Sequence, residues 1–381
     1  MKTPSCRPVP PSACSRPSSS PVTPPFQTNM LLSSLYDALR PYVFQLDPEV
    51  AHERTFALVE SLARVPGSLK VLQQGTPDPD PRLMTRLWGH VLPSPIGIAA
   101  GFDKDARIYN ALFALGFSAV EVGTVTPRPQ PGNPKPRLFR LPEDEALINR
   151  FGFNNAGTAA MQQRLQQQAP QGLLGVNLGK NKDTPLAEAP EDYVRGLEAF
   201  HGLADYLVIN ISSPNTENLR SLQSEAALQE LLDRCFSRRD QLAQLSGKAT
   251  PLLVKLAPDW EAEALEQSLS VLQTFPLDGV VATNTTLDRV GLQSRHRDET
   301  GGLSGRPLQE RSTAFIRHLR SVLPAEMPIL GVGGVFTGAD VHEKLQAGAT
   351  LVQVYTSLIY RGPGLARMLQ QELLAYREAT A

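Results

Sequence analysis

From Pro81 onward, short runs of Val, Ile, Leu and Ala alternate with stretches in which apolar residues recur at helical spacing. Eight of the runs read as strands, around 96–100, 118–123, 173–178, 205–211, 251–257, 279–283, 328–332 and 350–355. They are continuous rather than alternating, as in Tyr206 to Ile209, which suits strands buried on both faces. Helical patterns follow most of them, near 105–115, 190–204, 222–242, 260–273, 308–322, 338–347 and 363–377. Eight strand-helix repeats over roughly 280 residues predict an α/β fold, a (β/α)8 TIM barrel. A doubly wound sheet is the alternative, but it seldom runs to eight such units. The segment 125–155, after the second strand, is long and rich in Pro and Gly; a loop of that length in a compact domain is usually functional.

Ahead of the barrel the period is helical. Leu31, Leu32, Leu35, Leu39 and Val43 mark one helix. Asp47-Pro48 then offers a cap and a first-turn proline. Val50, Phe56, Leu58, Val59 and Leu62 mark a second helix, which Pro66-Gly67 ends. Such a pair is a packing appendage, a membrane-surface element or the wall of an apolar pocket. Residues 1–29 hold eight Pro, six Ser, three basic residues and no acidic one, and cannot build a core. They read as a disordered extension, or as sequence upstream of a functional start at Met30. The expected division is therefore 1–29 extension, 30–75 helical cap and 76–381 barrel.

Composition changes this picture little. Hydrophobic content of 41% and charged content of 20% are those of a soluble globular protein. A net charge of −1 gives no argument for nucleic acid as a partner. Cys6, Cys14 and Cys235 have no metal-ligand spacing, and no apolar run approaches the roughly 20 residues of a spanning helix.

Chemistry enters at the strand ends, which in a TIM barrel form the site. The first strand ends in Ala99-Ala100-Gly101-Phe102-Asp103-Lys104, and the second in Gly123-Thr124. The third gives Asn177 and Lys180; the fourth gives Asn210, Ser213 and Asn215. Lys255 lies among apolar neighbours on the fifth, unlike an ordinary solvated lysine. Thr283, Asn284 and Thr285 follow the sixth, Gly331-Val332-Gly333-Gly334 forms the seventh, and Tyr355-Thr356 follows the eighth. The long loop adds Asn149-Arg150-Phe151-Gly152-Phe153-Asn154. Any one of these clusters is ordinary turn chemistry; their convergence on one face is not. Glycine turns at the last strands suit phosphate. Many amides without a carboxylate pair suit a planar ring rather than glycoside hydrolysis. With a desolvated lysine, they point to flavin mononucleotide, FMN, the lysine stabilising negative charge on the reduced ring.

The motifs Ala-Ala-Gly-Phe-Asp-Lys (99–104), Asn-Arg-Phe-Gly-Phe-Asn (149–154), Asn-Ile-Ser-Ser-Pro-Asn (210–215), Thr-Asn-Thr-Thr (283–286), Gly-Gly-Leu-Ser-Gly (301–305) and Gly-Val-Gly-Gly (331–334) together resemble the dihydroorotate dehydrogenase family. The resemblance runs from about Asp47 to the C-terminus. Leu-Asp-Pro-Glu-Val-Ala-His (46–52) resembles the quinone-dependent, membrane-associated class. The resemblance implies oxidation of dihydroorotate to orotate in pyrimidine biosynthesis, with Ser213 as the base. Ser rather than Cys there agrees with the quinone-linked class. Substrate would be held by Lys104, Asn149, Arg150, Phe151, Gly152, Phe153, Asn210, Asn215, Asn284 and Thr285. FMN would be held by Ala100, Gly101, Phe102, Asp103, Lys104, Thr124, Asn177, Asn210, Lys255, Thr283, Gly305, Gly334, Tyr355 and Thr356. His52 and Arg140 would face the quinone, ubiquinone or menaquinone. The resemblance further implies a monomer bound peripherally to the cytoplasmic side of a bacterial inner membrane, with no metal.

A serine is a poor base unaided, and its motif contains no acid or His to activate it. Thr216, water or another loop would have to manage the proton, and Thr216 to about Ser224 would be the lid. Three other readings stay open. The soluble class of the same family would use fumarate or NAD. A Schiff-base aldolase would use Lys104 or Lys255. A phosphate-ligand binding module would need no base.

Overall fold

In the computed structural model, which describes residues 26–74, 78–216 and 219–380, each of the eight apolar runs is a strand of one closed barrel. The strands are Ile96–Ile98, Ala119–Val125, Leu173–Leu178, Tyr206–Asn210, Leu252–Leu256, Gly279–Ala282, Ile329–Val332 and Leu351–Val354. Every neighbouring pair is parallel, and the ring closes where Val352 and Val354 pair with Ile96 and Ile98. Parallel closure brings all eight C-terminal strand ends to one rim. The expected (β/α)8 architecture is therefore the observed one, with helices on the outside.

The lower interior is apolar, filled by Ala119, Leu173, Val208, Leu253, Val281, Leu330 and Leu351 around the ring of Tyr206. A two-stranded hairpin, Thr85–Leu87 and His90–Leu92, closes this end with Leu87 and Leu92. Its Trp88 lies 5.0 Å from the Tyr206 ring and donates its indole N–H to Asp278 O. Three-residue strands leave no period to read, so this plug was invisible in the sequence.

The segment 125–155 is less irregular than its composition predicts. Leu138–Leu141 and Ala146–Asn149 form an antiparallel hairpin, and Gly302–Gly305 adds a third strand. Gly-Leu-Ser-Gly has no strand propensity of its own; pairing with the hairpin makes it one. The helices Thr158–Gln167 and Thr356–Arg361 were also not foreseen.

Three helices precede the barrel: α1 (Phe26–Val43), α2 (Pro48–Ala63) and α3 (Ser68–Gln74). The expected extension falls largely on residues 1–25, outside the described residues. Asp47 caps α2 as foreseen, its Oδ1 accepting from the Glu49 and Val50 amides at 3.0 Å each. Ion pairs clamp α2 to the barrel. Glu49 receives Arg137 Nε and Nη2 at 3.1 and 2.8 Å. Arg107 reaches Glu53 and Glu60 at 2.8 Å each.

The tightest packing point inside the barrel is Gly175, opposite Tyr206, where a Cβ would lie 2.1 Å from the tyrosine Cζ. Gly175→Ala should therefore push Tyr206 out of place and cost about 1–3 kcal/mol, read as a lowered Tm in thermal unfolding. An unchanged Tm would show that the ring has room to move.

Candidate active site

The rim of the barrel opens on a cavity. Nineteen of the residues singled out in the sequence line it. From the first two strands come Ala100, Gly101, Lys104 and Thr124; from the long loop come Asn149, Phe151, Gly152 and Phe153. Asn210, Ser213, Asn215, Lys255, Thr283, Asn284 and Thr285 follow from strands four to six. Gly305, Gly334, Tyr355 and Thr356 complete the wall.

The floor is a network of buried side chains. Asn210 donates through Nδ2 to Thr124 Oγ1 at 3.0 Å and to Asn177 Oδ1 at 2.9 Å. Thr124 Oγ1 in turn donates to Asn177 Oδ1 at 2.5 Å. Asn177 Nδ2 donates to the Glu121 carboxylate at 2.8 Å. Asn177 thus lies beneath the floor and supports the groups above it instead of lining the cavity. Asn210 Oδ1 accepts from Asn284 Nδ2 at 3.3 Å, and Asn284 Nδ2 also reaches Ser212 Oγ at 2.9 Å. These bonds fix amide faces that would otherwise rotate freely.

On the opposite wall Lys104 Nζ stands 4.0 Å over the Phe151 ring. Burial lowers its pKa to about 8 despite the nearby Asp105 and Glu49 charges. Asn215 Nδ2 donates to Asn149 Oδ1 at 3.3 Å, joining the serine loop to the long loop. Ser213 is buried, and its Oγ accepts the Asn215 amide N–H at 3.2 Å. At the far end the glycine turn fits closely: a Cβ on Gly334 would lie 2.3 Å from the Gln309 Cα. Ser304 Oγ and Thr356 Oγ1 are 2.9 Å apart beside it.

A family model described as dihydroorotate dehydrogenase matches residues 82–376. The chain belongs to the dihydroorotate dehydrogenase family. A dihydroorotate dehydrogenase (quinone) of Flavobacterium lutescens is 48% identical over 347 residues, covering 91% of this chain and 98% of that protein. One of Delftia acidovorans is 49% identical over 336 residues, covering 87% and 95%. The crystal structure of DHODH in complex with ferulenol from Eimeria tenella superposes with a TM-score of 0.80 at 39% identity, covering 88% of this chain and 92% of that one. The chain is an enzyme, an oxidoreductase of this family.

Several of the expected dihydroorotate dehydrogenase residues stand away from the cavity. Arg150 turns outward, its guanidinium 2.7 Å from Glu299 and over the Phe139 ring. Asp103 is fully buried and accepts the Arg107 and Ile108 amides at 2.8 Å each; burial pushes its pKa up to about 6. Phe102 sits between the Tyr355 and His52 rings, at 5.7 and 5.6 Å. His52 stacks on Phe56 at 4.2 Å. Arg140 lies 4.7 Å over Phe44 and donates to Leu46 O at 2.9 Å, anchoring the turn between α1 and α2. The sequence reading missed Glu121 and Gln353, the one inside an apolar run and the other within the last strand. It also missed Asn133, whose amide donates to Arg150 O at 3.0 Å and Asn215 O at 3.1 Å.

Burial, then the Lys104 and Arg107 charges, hold His52 down to about 3. The unfolded chain protonates it near its ordinary 6.5. Between these values the unfolded state binds about one proton more, so stability falls as pH falls. His52→Gln should flatten the acid limb of Tm against pH by about one proton. Equal slopes in the two proteins would mean that His52 is protonated in place.

Proposed function

We propose that this chain is an FMN-dependent dihydroorotate dehydrogenase that oxidises dihydroorotate to orotate and passes the electrons to a membrane quinone. The observation that carries the reading is the meeting, in one cavity, of a buried serine, an amide-lined wall and a desolvated lysine above a glycine turn. The residues present fit the flavin. Gln353 Oε1 and Ser357 Oγ line the cavity, buried and without a partner among the described residues. Such groups call for a polar ligand. The chain's own Asn210, Thr124 and Lys255 would hold the ring, while Gly305, Gly334 and Thr356 would hold the phosphate. FMN, when bound, supplies the two-electron acceptor for hydride from C6 of the substrate.

The protein's part is positioning and proton transfer. Lys104 meets the substrate carboxylate as an ammonium, and Asn149, Asn215 and Asn284 present fixed amides to the ring's carbonyl and N–H groups. Ser213 Oγ receives the C5 proton. Among the described residues no carboxylate or imidazole hydrogen-bonds it. Thr216 Oγ1 is buried with no hydrogen-bond partner among the described residues, Ser213 included, so the proton that Ser213 gives up as it takes the one from C5 would leave through water. Glu217 and Asn218 of the expected lid lie outside the described residues.

The cap supports the second half of the reading. Leu35, Leu39 and Tyr42 of α1, with Leu58 and Leu62 of α2, expose from about half to two-thirds of their surface. Exposed apolar helix faces of this kind dock on a lipid surface. Among the described residues no helix is long and apolar enough to cross a membrane. From His52 of α2 a row of rings leads through Phe102 to Tyr355, where an apolar quinone would approach the flavin. The expected place is the cytoplasmic side of the inner membrane, peripherally bound.

The visible spectrum is the direct test. A flavin band should bleach with dihydroorotate and return with a quinone analogue but not with fumarate or NAD. A protein that takes up no flavin rejects the reading. Ser213→Ala should slow bleaching by about 10²–10⁴ with the flavin still bound. The pKa of about 8 at Lys104 sets a further expectation. The ammonium is lost as pH rises through it, so kcat/KM for the anionic substrate falls above about pH 8. Lys104→Arg, permanently charged, should remove that fall; an unchanged profile assigns the limb elsewhere. Leu58→Glu with Leu62→Glu should weaken turnover with a long-chain quinone in vesicles and leave reduction by dihydroorotate intact. Equal loss of both rejects a docking role for α2.

A further inference from the structure

A charged pair lies inside the barrel under the site, and its carboxylate is not used by the chemistry above. Glu121, in the second strand, is fully buried. Its Oε1 accepts Asn177 Nδ2 at 2.8 Å; its Oε2 accepts Gln353 Nε2 at 2.9 Å and the Tyr206 hydroxyl at 3.3 Å. Three neutral donors from three other strands converge on one carboxyl group. Burial holds the Tyr206 hydroxyl far above its usual range, so it donates and does not compete for the charge.

Lys255 Nζ stands 3.8 Å from Glu121 Oε1, and both side chains are almost wholly buried. That distance is close enough for strong attraction in a low dielectric but too long for a hydrogen bond. Lys255 therefore gains a counter-ion without committing its N–H groups to it, and they stay free for the cavity that it lines. Among the described residues Glu121 is the only carboxylate within ion-pair distance of Lys255. An ammonium buried without such a partner sheds its proton.

We propose that Glu121 is a positioning residue for Lys255: it keeps the lysine an ammonium before the flavin is reduced, so that reduction takes up one proton and not two. The proposal rests on the flavin reading above. In the natural protein two electrons and one proton enter the ring, whose remaining negative charge is met by an ammonium already in place. Without the carboxylate, Lys255 waits as a neutral amine. Reduction then draws a second proton from solvent to form the ammonium, and the same two electrons arrive with two protons.

The test is the pH dependence of the flavin midpoint potential, measured anaerobically against reference dyes on the flavin-loaded protein. The natural protein should show a slope of one proton per two electrons, and Glu121→Gln a doubled slope. Lys255→Gln should double it as well, because the carboxylate then stands alone and takes up a proton when the ring becomes negative. Glu121→Gln with Lys255→Gln should restore the single-proton slope, since neither group remains to titrate. Two single changes that each double a slope, and together restore it, do not arise from damaged packing. Should Glu121→Gln fail to hold flavin, Lys255→Gln alone carries the test, and a natural slope in it overturns the proposal. Single variants that keep the natural slope, or a double variant that stays doubled, overturn the proposal. A natural protein that takes up no flavin overturns instead the cofactor reading on which it rests.

Discussion

Closure of the parallel sheet is the constraint on which the rest depends. Once Val352 and Val354 pair with Ile96 and Ile98, no strand has a free edge. Each strand then ends at the same rim, so groups far apart in the chain become neighbours without any long-range contact chosen for them. Lys104, Asn210, Lys255 and Thr356 meet because each follows or ends a strand of one ring. The geometry of the backbone does the collecting; the side chains supply only the chemistry.

The same closure makes the interior narrow, and this decides what lies beneath the cavity. The lower layers are apolar and sealed by the hairpin 85–92. Above them Glu121, Asn177, Lys255 and Gln353 occupy positions where a barrel normally carries branched apolar residues. Polar groups there are costly unless paired. All four are tied into one network, and the chief unsatisfied atom, Gln353 Oε1, belongs to a side chain that lines the cavity. The network is thus complete on its protein side and open on its ligand side. The amide floor also keeps Asn210 and Asn284 in one orientation before anything binds, which is preorganisation in the physical sense.

The strands were legible because burial on both faces leaves continuous apolar runs, and these recur at regular spacing between helical stretches. The polar residues just after those runs were legible for the same reason: they interrupt a pattern that packing alone would continue. Legibility ended where that contrast ended. Glu121 was hidden because one carboxylate within Ala-Val-Glu-Val-Gly reads as a strand with a single outward residue, yet it points inward. Arg150 stands in the densest site motif but turns toward Glu299, since successive residues of an extended segment point to opposite sides and its neighbours Asn149 and Phe151 take the cavity side. The sheet formed by 138–149 and 302–305 could not be read, because its third strand exists only through pairing with residues more than 150 positions away.

The cap is more than an attachment to the barrel, as its electrostatics show. Glu49 at the start of α2 is buried and holds Arg137 by two hydrogen bonds. Arg137 also donates to Pro131 O and Asn133 O, at 2.6 and 2.9 Å, and lies 5.5 Å over Phe151. Asn133 then donates to Asn215 O, two residues beyond Ser213. One continuous path of polar contacts therefore leads from the first turn of α2 to the serine loop, and Phe151 lies between the Arg137 and Lys104 cations. Separating Glu49 from Arg137 would leave a buried guanidinium without its counter-ion, which is strongly unfavourable. A displacement of α2 must accordingly carry Arg137 and the substrate loop with it or be opposed by that cost. Helix α2 and the loop that carries Ser213 are thus coupled through the buried Glu49–Arg137 pair, beside the Arg107 pairs that also hold α2 to the barrel.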